Sequence, residues 1–327
     1  MRWQMRPLGL LCSSAFMMMT AMVVALLTNF SGLFPSDTLT PQIRADVTVL
    51  VLAMMMTISL SRVPVRNLDP IRNRRSVSRA VILGMLVSSF IPLAGYFILS
   101  GTAYSDYAVG LVFLAATPFA ASVVPLSFIL RGDLDHAARS TIIIYLLSLA
   151  WIPFIILISI GQYVDMGTVV MTVFQIIAVP LLLSRLFTKL CISRETMSAF
   201  MNICIFLLVW LSVSSTAFPN EFAPLFIFLL IAAMRTFLLG NVVEVAERRM
   251  GIGWSQRVTD ILMTSYKNKG IAIAMCVATM GPLVPLAMVA IAAAIVVEIT
   301  WVAYMDSVLF SKKRMERELA AEAAASL

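Results

Sequence analysis

Five charged residues stand in stretches of this sequence that are otherwise apolar: Arg235, Asp260, Lys267, Lys269 and Glu298. Charge in apolar surroundings is costly and marks solute or ion paths, proton relays or buried pairs. Lys267 and Lys269 flank Asn268 in the run Ser265-Tyr266-Lys267-Asn268-Lys269-Gly270. An ammonium there can attract an anion, neutralise the negative end of a helix, or itself exchange a proton. Asp260, seven residues earlier on the same helical face, is the expected counter-charge of Lys267. Arg235 and Glu298 fall at similar depth and are expected to pair. Lys269 is expected to line the outer half of a cavity or to snorkel. A second interruption is Thr117-Pro118-Phe119-Ala120-Ala121-Ser122-Val123-Val124-Pro125. Thr117 and Ser122 are its polar groups, suited to a substrate or to capping a helix.

Other chemistries lack their equipment. Cys12, Cys191, Cys204 and Cys276 form no C-x-x-C pair, so neither a disulfide framework nor a zinc site is indicated. His136 is the only histidine and is expected in a charged loop. There is no H-E-x-x-H and no G-x-S-x-G. The chain is therefore read as a non-enzyme without a cofactor. Of its 22 methionines, the runs Met17-Met18-Met19 and Met54-Met55-Met56 suit adaptable packing better than metal relay.

The elements that must hold these residues follow from composition. The chain has 327 residues, 61% hydrophobic and 13% charged, with a mean hydropathy of +0.96. A water-soluble globule is excluded, because typical soluble chains are about 45–50% apolar and about 25% charged. About 20 apolar residues cross a bilayer as a helix. Ten segments are predicted to do so: Leu8 to Phe30, Ala45 to Ser61, Ala80 to Ser100, Val109 to Leu130, Thr141 to Gly161, Gly167 to Phe187, Ala199 to Phe218, Ala223 to Asn241, Arg257 to Gly281 and Pro282 to Tyr304. With the N-terminus inside, 20 of the 24 Lys and Arg residues fall at the inner ends, led by Arg62, Arg66, Arg72, Arg74, Arg75 and Arg79, and Arg44 alone falls outside. That bias is the positive-inside pattern. It accounts for the net charge of +7 without nucleic acid, and predicts an integral protein of the cell membrane with both termini cytoplasmic.

Five spans per half imply inverted repeats, residues 1–161 and 166–311, with a cytoplasmic tail at 312–327 read as a helix without a chemical role. The breaks fall in the fourth span of each half. Such backbone survives at depth only where protein or a cavity covers it, and inverted-repeat transporters bind solute between such broken helices.

At these residues the chain resembles the bile acid:sodium symporter family, which also includes carriers of pantoate and other organic anions. The resemblance covers most of the chain in span order. It is sharpest from Pro118 through Arg131-Gly132-Asp133 to Thr141, and at Asn268-x-Gly270-Ile271-Ala272. The resemblance implies an all-α membrane protein with a core of spans 80–161 and 223–304, in which broken spans four and nine cross. A panel of spans 8–61 and 167–218 lies beside it, with substrate in the cleft between them. It also implies that Asn268 lies near the substrate. The family's sodium ligands fall on Val123, Val124, Ala137, Thr141 and Met263, and only Thr141 keeps an oxygen. Both sodium sites are therefore expected to be lost, with Lys267 supplying the charge instead.

The expected function is a sodium-independent secondary transporter of an organic anion by alternating access. Lys267, Asn268, Lys269, Thr117 and Ser122 would bind substrate, and Lys267, Asp260, Thr141, Arg235 and Glu298 would handle charge. An exporter of the related arsenite branch is an alternative, although Phe119 stands where that branch has cysteine. A non-transporting membrane sensor or scaffold is another.

Overall fold

The computed structural model describes residues 11, 14–61, 73–120, 122–189, 193–216 and 222–325. The expectations for Arg2, Arg6, Arg62, Arg66, Arg72, Cys12, Cys191 and Ala121, and for the ends of the first and seventh spans, lie outside these residues.

The described chain is helical. Its elements are α1 (Ser14–Phe30), α2 (Pro41–Ser61), α3 (Arg74–Leu99), α4 (Ser105–Ala116), α5 (Val123–Ile129), α6 (Leu134–Ile160) and α7 (Met166–Ser184). They continue with α8 (Arg194–Val213), α9 (Ala223–Arg249), α10 (Trp254–Ser265), α11 (Lys269–Thr279), α12 (Val284–Tyr304) and α13 (Lys312–Ala325). Seven of these, α2, α3, α6, α7, α8, α9 and α12 with its flanking turns, are long and apolar enough to cross a membrane. Leu27, Phe90, Phe97, Leu157 and Leu230 are among the many apolar side chains left exposed, an outer surface suited to lipid rather than water. The expected fourth and ninth spans are each split into two shorter helices, α4–α5 and α10–α11.

Local chemistry explains the splits. Thr117 precedes Pro118 and is extended, at φ −75° and ψ 148°, as steric clash with the proline ring requires. In the second break Tyr266 leaves the helix at φ −115° and ψ 84°. Asn268 then restarts it, its side-chain oxygen accepting from the Ile271 N–H at 3.1 Å, as an N-cap does. Elsewhere the same capping rule sets the helix starts. Asp133 accepts from the His136 N–H at 2.9 Å to open α6, and Asp165 accepts from the Thr168 N–H at 2.9 Å to open α7.

Two groups of helices pack side by side. α1 packs on α8, and α2 packs on α7 and α8. In the other group α3 and α12 pack on α4, α9 packs on α12 and α10, and α6 packs on α4 and α5. α11 touches both groups, lying on α2 and α7 as well as on α4 and α12. Gly110 lets α4 approach α12 closely, since a Cβ there would run into the Ala287 carbonyl.

α6 starts at Leu134, seven residues before the predicted Thr141. His136 therefore sits in a helical first turn and is 2% exposed, not in a loop. The tail helix α13 is anchored as well. Glu318 pairs with Arg257 at 2.7 Å and Arg248 at 3.2 Å, Arg314 pairs with Glu244, and Glu322 accepts from the Trp254 N–H that opens α10. The tail thus caps a helix that has no side-chain cap of its own, a partnership its sequence alone did not disclose.

Candidate functional site

The two breaks lie against each other. Phe119 and Lys267 form an antiparallel bridge. The Ala120 N–H donates to the Tyr266 carbonyl at 2.8 Å, and the Asn268 N–H donates to the Pro118 carbonyl at 2.8 Å. Backbone groups released by the two breaks thus satisfy one another, as buried amides must.

Lys267 completes the crossover. It is 1% exposed, and its Nζ donates to Ser89 Oγ at 3.0 Å, the Ala115 carbonyl at 3.3 Å and the Thr117 carbonyl at 2.6 Å. The ammonium's three protons are matched by three acceptors. Two are carbonyls at the C-terminal end of half-helix α4, where the helix dipole is negative. Arg235 does the equivalent for the other half-helix. Its Nη2 donates to the Ser265 carbonyl, the last residue of α10, at 2.9 Å, and to Thr236 Oγ1 at 2.7 Å. Each broken helix therefore has a buried cation on its negative end.

Two expected pairings are replaced. Asp260 does not face Lys267, because the break at Tyr266 ends the helical register on which that pairing relied. Its carboxylate instead meets Arg79 and His136. Glu298 pairs with Lys269 rather than with Arg235. The Lys269 ammonium lies 5.4 Å from the centre of the Tyr266 ring and is buried rather than snorkelling.

The remaining candidates fall around the same point. Asn268 donates from Nδ2 to Tyr145 Oη at 2.8 Å, and Tyr145 Oη donates to the Phe119 carbonyl at 3.1 Å. Thr117 Oγ1 donates to the Leu114 carbonyl at 3.2 Å. Ser122 and Tyr266 line the same cavity beside the crossover, of about 90 Å³, together with Lys267, Asn268, Lys269 and Glu298. Met55, Met201 and Leu208, from α2 and α8, form its other wall. A larger cleft of about 870 Å³ runs between α2, α7 and the ends of α11 and α12, reaching Gln42, Asp46 and Asp165.

The positions where the resemblance puts sodium ligands do not fit that ion. Val123, Ala137 and Met263 are fully buried, and Val123 and Met263 share an apolar cluster with Phe119 and Ile144. The Thr141 hydroxyl donates to the Ala137 carbonyl at 2.8 Å. Side chains without oxygen cannot supply the ligands that a hard cation requires.

Sequence reasoning missed Ser89, Tyr145 and Tyr266. Ser89 and Tyr145 lie in unbroken helices, and their partners are backbone atoms or residues far along the chain.

Long apolar helices and a pair of crossed half-helices with buried charge define an integral membrane protein with a solute-sized opening between two helix groups. The family model of the Sodium Bile acid symporter family matches residues 49–222, more than half of the chain, which therefore belongs to that family. Members of this family are membrane transporters of small solutes. No curated protein matches the chain.

Proposed function

We propose that this chain is a secondary transporter of a small or amphipathic organic anion, working by alternating access without sodium. The observation that carries the reading is the charge count at the crossover. Lys267 and Arg235 sit on the ends of the two half-helices, Lys269 follows in the same break, and Glu298 is the carboxylate paired among them. Each helix end that Lys267 and Arg235 cover contributes about −0.5 of a charge. With Lys269 neutralised by Glu298, and with the positive N-terminal ends of α5 and α11 at the same point, an excess of positive charge is left for an anion to balance. Methionine and leucine on the facing wall suit an apolar body on that anion.

The topology in this reading is ten spans in two inverted halves, with both termini cytoplasmic in the cell membrane. The group α3–α6 with α9–α12 is the core, and α1, α2, α7 and α8 are the panel. The paired use of Lys267 and Arg235 on corresponding half-helices supports the repeat. The larger cleft supplies the path from the outer side. Lys267 stands in for sodium by holding the half-helix end that a cation would otherwise neutralise.

The test is a thermal-shift screen of the purified protein against organic anions, including taurocholate and pantoate, in sodium and in choline buffers. A ligand of the folded state raises its apparent stability. Stabilisation by an anion, equal in both buffers, supports the reading, while stabilisation that requires sodium overturns its ion independence. Screening the same panel with Lys269→Met, which removes one of the two cations lining the cavity and leaves Glu298 uncompensated, should abolish the shift.

A further inference from the structure

The chain's one histidine is buried among charges that the crossover does not use. His136 Nε2 lies 2.9 Å from Asp260 Oδ1. Its Nδ1 lies 2.5 Å from Ser76 Oγ and 3.2 Å from Ser140 Oγ. Asp260 is fully buried, and its second oxygen accepts from Arg79 Nη2. That same nitrogen donates to Glu247 Oε1 at 2.7 Å. The other oxygen of Glu247 is buried and has no partner among the described residues. Four helices meet here: Arg79 comes from α3, His136 from α6, Glu247 from α9 and Asp260 from α10.

The charges do not balance. One guanidinium faces two buried carboxylates, so with a neutral imidazole the group carries an excess negative charge. A single proton removes it. Two places can take that proton without rearrangement. One is His136, whose two N–H groups would then point at Asp260 and at the serine hydroxyls. The other is the unpartnered oxygen of Glu247. The other charged groups nearby are already engaged: Arg139 donates to Ser76 Oγ at 3.0 Å, and Asp133 caps the first turn of α6. Arg257 and Glu244, on α10 and α9, turn to the tail helix through Glu318 and Arg314. The Arg79 side chain is 26% exposed, so it gives the cluster an edge on water at the end of the bundle where basic residues collect.

We propose that His136, Asp260 and Glu247 form a proton-binding site that takes up and releases one proton per cycle and so couples proton flow to anion movement. The coupling rests on the transport reading above; the proton site does not. Its route to the crossover is short. Asp260 and the Ser265 carbonyl held by Arg235 belong to the same half-helix, α10. A proton on His136 gives Asp260 a second cationic partner, and a proton on Glu247 leaves Arg79 to Asp260 alone. Either one tightens the hold on α10, and release of the proton loosens that half-helix relative to the other. No bond is made or broken apart from transfer of a proton between water and the cluster.

The experiment uses the full chain, labelled with 15N-histidine, in lipid nanodiscs. With one histidine, the spectrum holds a single imidazole. Its nitrogen signals should change with pH as the cluster takes up its proton, and Glu247→Gln should displace that change, because it removes one of the two competing carboxylates. Signals that show neither protonation of the imidazole nor a response to a change of charge at neighbouring Glu247 as pH is varied overturn the proton site. The second arm follows labelled taurocholate and pantoate in proteoliposomes with the pH gradient acid outside. One-to-one coupling to a monovalent anion sustains up to about tenfold accumulation per pH unit. His136→Gln and Glu247→Gln should lose accumulation but keep counterflow exchange, which also shows that they fold. Wild-type accumulation indifferent to the gradient, or undiminished in both variants, overturns the coupling. If the wild type carries neither anion, the titration alone decides on the proton site, and a titrating imidazole then supports it.

Discussion

Lys267 donates to Ser89 and to two carbonyls, none of which a sequence marks as a partner for a lysine. The lysine itself was legible, as a charge in an apolar run. Its partners were not, since backbone carbonyls carry no residue identity and Ser89 lies in an unbroken helix. Asp260 was misplaced for a related reason: helical spacing was carried across a break that ends it. Lys267→Met should remove the shared donor and leave buried acceptors unmet, at about 1–3 kcal/mol for each acceptor left without water. The measurement is a fall in thermal midpoint, and Lys267→Arg should recover part of it. A buried pair makes a different demand. Removing one partner of Lys269–Glu298 should cost about 3–5 kcal/mol, whereas Lys269→Met with Glu298→Leu should cost much less. A loss in the double variant equal to the sum of the two single losses would deny that the two groups are coupled.

At the scale of the element, the first break was legible because a residue before proline is forced to be extended. The second was legible from Asn268 and Gly270. That the two breaks meet was expected from their matching depth in the two halves and their crossing from the resemblance, but the backbone pairing between residues 119 and 267 leaves no local pattern. The close contact of α4 with α12 depends on Gly110. Gly110→Ala should push the two helices apart and lower stability by about 1–3 kcal/mol, as overpacking does. Chemical denaturation of the purified protein would measure it. The tail was readable as a helix but not as a docked one, because its partners lie on α9 and α10. Burial pushes the Glu318 carboxyl up, but its hydrogen bond to Arg257 and the charges of Arg257, Arg248 and Arg314 outweigh this and hold it below the usual carboxylate range. A group whose folded value is depressed lends its stability above the unfolded value and loses it as pH falls through the folded one. Docking of α13 should thus hold at neutral pH and weaken below about pH 4. Spin labels at Met250 and Ala320 would report the separation, and no change in their distance on acidification would contradict it.

Across the whole molecule, the arginines and lysines sort by environment. Those outside the apolar segments follow the positive-inside pattern from which ten spans are expected. In the interior, Lys267 and Arg235 hold a crossing of helices together, and Lys269 pairs with Glu298. Ten expected spans yield seven long apolar helices partly because breaking two of them is how the site is made. The first, which is described only from Ser14, is too short for that class. The central claim is that the crossover is poised for an organic anion with a lysine in the place of sodium. Counterflow of radiolabelled taurocholate and pantoate in proteoliposomes tests it most directly, with sodium on both sides and again with choline throughout. The account predicts exchange of an anion at the same rate in both salts, abolished by Lys269→Met. Exchange that appears only when sodium is present would contradict it.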